Sequence, residues 1–123
     1  MTYEETVWVK NDTPIHDYEK VAVFLDRHPV VTSHLLFVPK ENNNECTAEA
    51  YKKALDWAKT WIQEGGIDGA NIGQNVGMAA GQTVMWPHIH FIPRREGDSD
   101  KNASNGIRLS HPGGVHINEH TNE

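Results

Sequence analysis

Residues 82–92 read QTVMWPHIHFI, an extended segment whose side chains alternate between two faces. At the strand period of two, one face carries Val84, Trp86, His88, His90 and Ile92, and the other carries Met85, Ile89 and Phe91. Pro87 disturbs this pattern, since proline has no amide hydrogen to donate to a sheet and is typical of an edge or a bulge. We predict a strand with two histidines on one face.

Apolar runs elsewhere predict the remaining elements. Residues 15–18, 21–25 and 35–38 read as strands, the first two joined by a tight hairpin at 19–20. Thr47 is suited to cap a helix whose apolar residues recur at three and four positions, and Gly65-Gly66 would end it. Residues 70–80 read as a strand with a bend and a loop. This order predicts an α+β domain with a mainly antiparallel sheet and one long helix.

The chain of 123 residues, 37% of them hydrophobic and four of them Trp, fits a single domain with its own core. We divide it into an N-terminal extension (1–14), a domain (15–95) and a polar C-terminal tail (96–123). Cys46 is the only cysteine, which excludes an internal disulfide framework. The start MTYEETVWVK does not resemble a signal peptide, and no apolar run approaches the ~20 residues of a membrane span. We expect a soluble, cytoplasmic protein with no membrane partner.

The charge and the histidine content narrow the possible ligands. A formal net charge of -6 argues against binding long nucleic acids, because that affinity comes from neutralising many phosphates with Lys and Arg. A small phosphorylated ligand remains compatible with this charge. Eight histidines in a chain of this length call for a chemical explanation.

His88 and His90 are the main candidates for chemistry. Imidazoles two residues apart on a strand lie ~7 Å apart at the backbone and point the same way. One could attack phosphorus while the other donates a hydrogen bond to the phosphate or leaving oxygen. Alternatively, both could bind a metal, or both could be ordinary polar residues of a half-exposed strand. The histidine pair alone leaves these three interpretations open.

The residues just before the predicted strand favour the first interpretation. Gly81-Gln82-Thr83 offers backbone N–H groups and a hydroxyl, which hold anions without a formal positive charge. A phosphate pocket at this position therefore becomes the preferred hypothesis.

Two blocks of the sequence resemble one known family. Residues 81–94, GQTVMWPHIHFIPR, resemble the signature of the histidine triad (HIT) nucleotide hydrolases and transferases, in which Gly-Gln-Ser/Thr-Val leads into alternating histidines and apolar residues. Residues 24–40, FLDRHPVVTSHLLFVPK, resemble the N-terminal block of the same family. The resemblance spans residues 15–95 and implies a HIT-like fold, a homodimer formed by sheet extension, and catalysis without a cofactor.

The resemblance also assigns roles to individual residues. It makes His88 the nucleophile on the α-phosphorus of a dinucleoside polyphosphate or nucleoside phosphoramidate, forming a nucleotidyl-histidine that water then cleaves. His90 would donate to the phosphate or the leaving group. Asn75 and Thr83 match positions that touch the phosphates, and Asp26 matches the acid that accepts hydrogen bonds from the ribose hydroxyls. A small nucleotide would thus be the substrate of a phosphohydrolase or nucleotidyl transferase.

Trp86 departs from the family pattern, which has its first histidine at this position. If that position orients His88 through its backbone carbonyl, Trp86 still supplies the carbonyl and catalysis survives. If the side chain itself matters, activity drops or the substrate changes. We include Trp86 and Gln82 in the predicted substrate-binding set, with the Trp86 indole stacking on the ligand or, as an equal alternative, filling an interface in the protein.

Two other functions stay open. The first is a metalloprotein that uses His88 and His90 with His34 or His116 as ligands, and the second is a nucleotide-binding protein in which Trp86 has ended turnover. We expect His34 to be structural, with a backbone partner. The remaining histidines discussed are expected at the surface: His28, His111, His116 and His120.

Overall fold

An antiparallel sheet of five strands forms the centre of the computed structural model, which describes residues 1–99 and 106–114. In chain order the helices and strands are α1 (Val7–Asn11), β1 (His16–Asp17), β2 (Val21–Leu25), β3 (Leu35–Pro39), α2 (Asn44–Gln63), β4 (Gly69–Gly73) and β5 (Ile89–Arg94). The strands lie in the order β1-β2-β3-β5-β4, and all neighbours are antiparallel. The predicted α+β class with one long helix is confirmed.

One face of the sheet packs against α2. Every second residue of the central strands is buried here: Val21, Val23, Leu35, Phe37, Ile89 and Phe91. The helix presents Ala50, Ala54 and Ala58 to them at a spacing of four residues, so its backbone approaches the sheet closely. This face holds the larger part of the hydrophobic core.

The other face is divided into a covered half and an open half. Ala22 and Phe24 of β2 lie opposite Val38 and Leu36 of β3, and these four side chains form a second apolar cluster with two tryptophans, Trp8 and Trp86. The open half, on β5 and β4, carries polar side chains. The candidate site lies where the two halves meet.

The predicted extension over residues 1–14 supplies part of the second cluster. Thr6 caps α1 by accepting a hydrogen bond from the Val9 N–H, and Trp8 of α1 is only 3% exposed. The N-terminal segment therefore packs against the sheet instead of extending away from it.

The strand predicted over 82–92 is shorter and lies later in the chain. It begins at Ile89 and continues to Arg94, while residues 82–88 lie outside the ladder, with a bend at 84–86. Pro87 fits the late start, because it has no amide hydrogen to donate to a neighbouring strand. The predicted face therefore breaks at Pro87, and only His90 and Ile92 of its members lie within β5.

Two further element boundaries differ from prediction. Asn43, not Thr47, caps α2, because the Asn43 carboxamide oxygen accepts a hydrogen bond from the Cys46 N–H at 2.8 Å and so starts the helix one turn earlier. The predicted strand over 15–18 is limited to His16–Asp17. The strands predicted over 21–25 and 35–38 are confirmed.

The described part of the C-terminal tail contains a short 3₁₀ helix, Gly106–Ser110, followed by an exposed His111. His116 and His120 lie outside the described residues. Among the helices of residues 1–99 and 106–114, none is both long and apolar enough to cross a lipid bilayer.

Candidate active site

Four polar side chains meet at one end of the sheet, on the face opposite α2. His90 lies in β5 opposite Leu36 of β3, and His34 lies two residues before Leu36 on the same face. Asp26 directly follows β2, and its N–H donates to the His34 carbonyl at 2.8 Å. His88 precedes β5, with its ring centroid 5.3 Å from that of His90. Three separate segments thus bring the histidines and the carboxylate together.

The backbone of Trp86 sets the orientation of His88. The His88 Nδ1 atom lies 2.7 Å from the Trp86 carbonyl oxygen, and the residue is 7% exposed. Because a carbonyl oxygen only accepts, Nδ1 carries the proton and donates it to Trp86. The neutral ring then has its lone pair on Nε2, the form that a nitrogen nucleophile needs.

A chain of hydrogen bonds sets the tautomers of the other two histidines. The Val30 N–H donates to His34 Nδ1 at 3.2 Å, so neutral His34 carries its proton on Nε2. That Nε2 lies 3.0 Å from His90 Nδ1. His34 therefore donates to His90, and the proton of neutral His90 lies on its own Nε2. His90 is thereby prepared as a hydrogen-bond donor, not as a nucleophile.

Asp26 supplies the negative charge of the site. Its Oδ1 accepts a hydrogen bond from the His28 N–H at 2.7 Å, which fixes the carboxylate plane. Its Oδ2 lies 3.3 Å from His34 Nε2 and 3.7 Å from His90 Nδ1. The carboxylate thus faces the histidine pair and favours positive charge there.

Burial is the largest influence on the pKa values of the three histidines. Burial lowers the pKa of His34 and of His88, against the opposing charge of Asp26 and, for His88, the bond to the Trp86 carbonyl. The pKa of His90 is also lowered, first by burial and then by His88 and His34. All three rings are therefore neutral at neutral pH, as the tautomer argument requires.

The distances around Asp26 resemble those of a metal site, but the hydrogen bonds do not fit one. Tetrahedral zinc with bonds of about 2.0–2.2 Å needs ligand atoms about 3.3–3.6 Å apart, close to the 3.0, 3.3 and 3.7 Å among Asp26, His34 and His90. A metal-binding imidazole donates from its second nitrogen. The second nitrogen of His34 instead receives the Val30 N–H. His88 does not belong to this cluster, which is the one such group among the described residues.

A cleft of about 900 Å³ opens beside His34 and His90. Its walls come from the open half of the sheet, from α2 and from the 3₁₀ helix of the tail, with Asn71, Tyr51 and Ile107 among them. Asn75 also lines this cleft, together with His90. The cleft is large enough for a small-molecule ligand.

The other predicted binding residues lie outside the lining of this cleft. The Gln82 side chain stabilises its own loop by two hydrogen bonds. It accepts from the Gly77 N–H at 2.8 Å and donates to the Val84 carbonyl at 3.0 Å. Thr83 is exposed, and the preceding Gly81 has a φ of 97°, a left-handed conformation that favours glycine. The structure thus gives Gln82 a positioning contact within the loop and leaves the Thr83 hydroxyl at the surface.

The Trp86 side chain lies inside the protein. Its indole is 4% exposed within the second cluster, and its Nε1–H donates to the Pro39 carbonyl at 2.8 Å. The buried indole supports the alternative of a residue that fills an interface, and a contact between the indole and the ligand stays a prediction. What Trp86 contributes to the site is its backbone carbonyl.

The contact of Trp8 with His88 did not follow from the sequence. The two ring centroids lie 4.9 Å apart at an angle of 55°. The only local signal was Thr6, a cap residue directly before the apolar run 7–9, which indicates a helix start but not its partner.

The chain is similar in sequence and in fold to known proteins. The family model "HIT domain" matches residues 9–97. An uncharacterised HIT-like protein of Methanocaldococcus jannaschii is 36% identical over 92 residues, which cover 70% of this chain and 71% of that protein. The crystal structure of a Zn-bound histidine triad family protein from Mycobacterium smegmatis superposes with a TM-score of 0.67 at 30% identity, covering 82% of this chain and 84% of that one.

Two relatives carry names that state an activity. The adenylylsulfatase HINT3 of Arabidopsis thaliana is 28% identical over 73% of this chain and 51% of that protein. The adenosine 5'-monophosphoramidase HNT1 of Saccharomyces cerevisiae is 33% identical over 59% of this chain and 48% of that protein. The match of the family model to most of the chain, and the shared fold, show that this chain belongs to the HIT domain family.

Proposed function

We propose that this protein is a nucleotide hydrolase or nucleotidyl transferase of the HIT type, with His88 as the nucleophile on the α-phosphorus of a small nucleotide. The observation that carries the proposal is the bond from His88 Nδ1 to the Trp86 carbonyl, which leaves the lone pair on Nε2. Trp86 replaces a histidine of the family pattern, yet it supplies the same backbone group. The substitution is therefore compatible with turnover.

The reaction divides into two displacements at phosphorus. His88 Nε2 forms a bond to the α-phosphorus, and the bond from phosphorus to the leaving group breaks with its electron pair. The leaving group takes up a proton from solvent. Water then forms a bond to phosphorus and releases a proton to solvent, while the P–N bond breaks and its electron pair returns to Nε2. A nucleotide acceptor in place of water would make the same site a transferase.

His90 has a different task in this scheme. Its Nε2–H, set by the bond from His34, donates to a phosphate oxygen on which negative charge increases during the displacement. Asn75 is the predicted phosphate contact that lines the cleft with His90. Asp26 retains the role of a ribose acceptor as a prediction, because each carboxylate oxygen has further lone pairs beyond the contacts described.

The substrate class follows from the two relatives with named activities. An adenylylsulfatase and a monophosphoramidase act on compounds that share an adenosine 5'-phosphoryl group and differ in the leaving group. We extend this class to the present chain: nucleoside phosphoramidates first, and dinucleoside polyphosphates second. Homodimer formation and a cytoplasmic location remain predictions.

The test is a turnover assay with adenosine 5'-monophosphoramidate and with diadenosine polyphosphate, followed by intact-mass analysis of rapidly quenched protein. The expected result is release of AMP together with a protein species heavier by one adenylyl group. Nucleotide binding without AMP release and without an adduct would instead support the non-enzymatic alternative.

The pH dependence gives an independent prediction for the same site. Only neutral His88 can attack phosphorus, and burial lowers its pKa, so the ring stays neutral to more acidic pH than an exposed imidazole. The acid limb of kcat/KM is therefore expected below about pH 6.5, the ordinary value. The acid limb is measured with two substrates whose leaving groups differ in pKa. A limb at the same pH with both substrates belongs to the enzyme and not to the substrate. An acid limb at or above the ordinary value would contradict the assignment.

Treatment with a chelator separates this proposal from the metalloprotein alternative. Incubation with EDTA followed by desalting is expected to leave kcat and KM unchanged, since His34 receives a hydrogen bond on the nitrogen that a metal ligand would use as a donor. The measurement is the turnover rate before and after treatment, with metal content determined in parallel. Loss of activity that one divalent ion restores would favour the metal.

A further inference from the structure

The aromatic contact on His88 comes from a segment that the sequence placed outside the domain. Trp8 of α1 is buried, and its ring centroid lies 4.9 Å from that of His88. The contact joins residues far apart in the chain, so it depends on α1 packing against the sheet. Nothing in the reaction scheme above uses it.

Local hydrogen bonds stabilise both ends of α1, the helix that carries Trp8. At the start, the Thr6 hydroxyl donates to the Tyr3 carbonyl at 2.8 Å, and Thr6 itself is fully buried. At the end, the Asp12 N–H donates to the Trp8 carbonyl at 2.8 Å. The Asp12 carboxylate then pairs with Arg27 at 3.1 Å, in the loop that begins at Asp26. This pair links α1 to the loop of the site carboxylate.

We propose that Trp8 is a positioning residue for His88: its ring holds the imidazole against the Trp86 carbonyl and shields it from water. This inference rests on the proposed function. Two physical effects support it. A ring in contact with one side of the imidazole restricts rotation about the side-chain bonds, which would otherwise break the 2.7 Å bond to Trp86. The indole also displaces water that would stabilise the protonated ring.

Trp8 and Trp86 belong to the same apolar cluster, and both contact His88. One tryptophan contributes its ring to the face of His88, and the other contributes its carbonyl to Nδ1. Within residues 1–99 and 106–114, the other titratable groups that act on His88 are His90, at 5.3 Å between centroids, and the carboxylate of Asp26. Neither changes when Trp8 is replaced, so a shift in the titration of His88 would report on Trp8.

The test compares Trp8→Ala and Trp8→Phe with the matched control Val7→Ala, which removes apolar contact from the same helix and the same cluster but leaves the Trp8 ring in place. We expect Trp8→Ala to lower kcat by about 10-fold to 100-fold with little change in KM, because the nucleophile is no longer held in place. The acid limb of kcat/KM should move up toward the ordinary imidazole value. Trp8→Phe should recover most of the wild-type behaviour, and Val7→Ala should keep both kcat and the acid limb.

Nitrogen-15 NMR of the ligand-free protein supplies a readout that does not depend on turnover. In wild type, the His88 signals should show Nδ1 protonated and a low titration midpoint, whereas Trp8→Ala should show mixed tautomers and a higher midpoint. If Trp8→Ala keeps the wild-type tautomer and midpoint while losing only stability, as Val7→Ala does, the proposal is overturned. If the wild-type protein shows no turnover but Trp8→Ala gives the expected NMR change, the proposed function is rejected and the positioning role of Trp8 is retained.

Discussion

Replacing His88 with alanine is expected to lower turnover of a nucleoside phosphoramidate by at least about 10⁴-fold, because the variant has no nitrogen to form the covalent intermediate. The adenylyl adduct should disappear from the intact-mass spectrum at the same time. Nucleotide binding, measured by calorimetry with AMP, should remain within a few-fold of wild type, since the cleft is lined by other residues. His90→Ala should cost less, because it removes a donor and not the nucleophile.

His16→Ala is the matched control for this experiment, since His16 is an exposed histidine on β1. It should leave both turnover and the adduct unchanged. An adduct that persists in His88→Ala would place the nucleophile elsewhere. Equal losses in His88→Ala and His90→Ala, accompanied by loss of a bound metal, would support the metalloprotein alternative.

Trp86→Ala is expected to lower the free energy of unfolding by about 3–5 kcal/mol, the usual cost of removing a large aromatic side chain from a packed core. The indole is buried among Trp8, Phe24 and Leu36, and its loss also leaves the Pro39 carbonyl without its donor. Urea denaturation followed by circular dichroism measures the loss. The change should appear as a lower midpoint at an unchanged slope.

Trp86→Phe separates the packing of Trp86 from any contact with the ligand. Phenylalanine keeps most of the apolar volume and the backbone carbonyl but loses the Nε1–H bond to Pro39, so the expected loss is about 1–3 kcal/mol. KM for the nucleotide should stay close to wild type. A large rise in KM with little loss of stability would show that the indole does contact the ligand after all.

Local patterns in the sequence were sufficient for much of the fold. We could predict β2 and β3 from their apolar runs and α2 from its helical periodicity, because these patterns are local to each segment. The Asn43 cap of α2 and the late start of β5 at Ile89 did not follow, because several residues were equally suitable at each boundary.

The candidate site could also be predicted only in part from the sequence. The pair His88 and His90, and the Asp26 block before them, were recognisable as motifs because the chemistry needs those residue types at that spacing. Their tautomers were not recognisable. These depend on the Trp86 carbonyl and on the Val30 N–H, groups that every sequence offers at every position and that only the folded backbone directs at a ring.

Spacing and residue type along short segments were enough to predict the family, the antiparallel α+β sheet and the two histidines that we assign to the reaction. The folded chain was needed to show that Trp86 packs inward, that His34 donates to His90 and that Trp8 contacts His88. Each of these contacts joins segments distant in the chain. Such contacts depend on how the two faces of the sheet are filled, which no local pattern specifies.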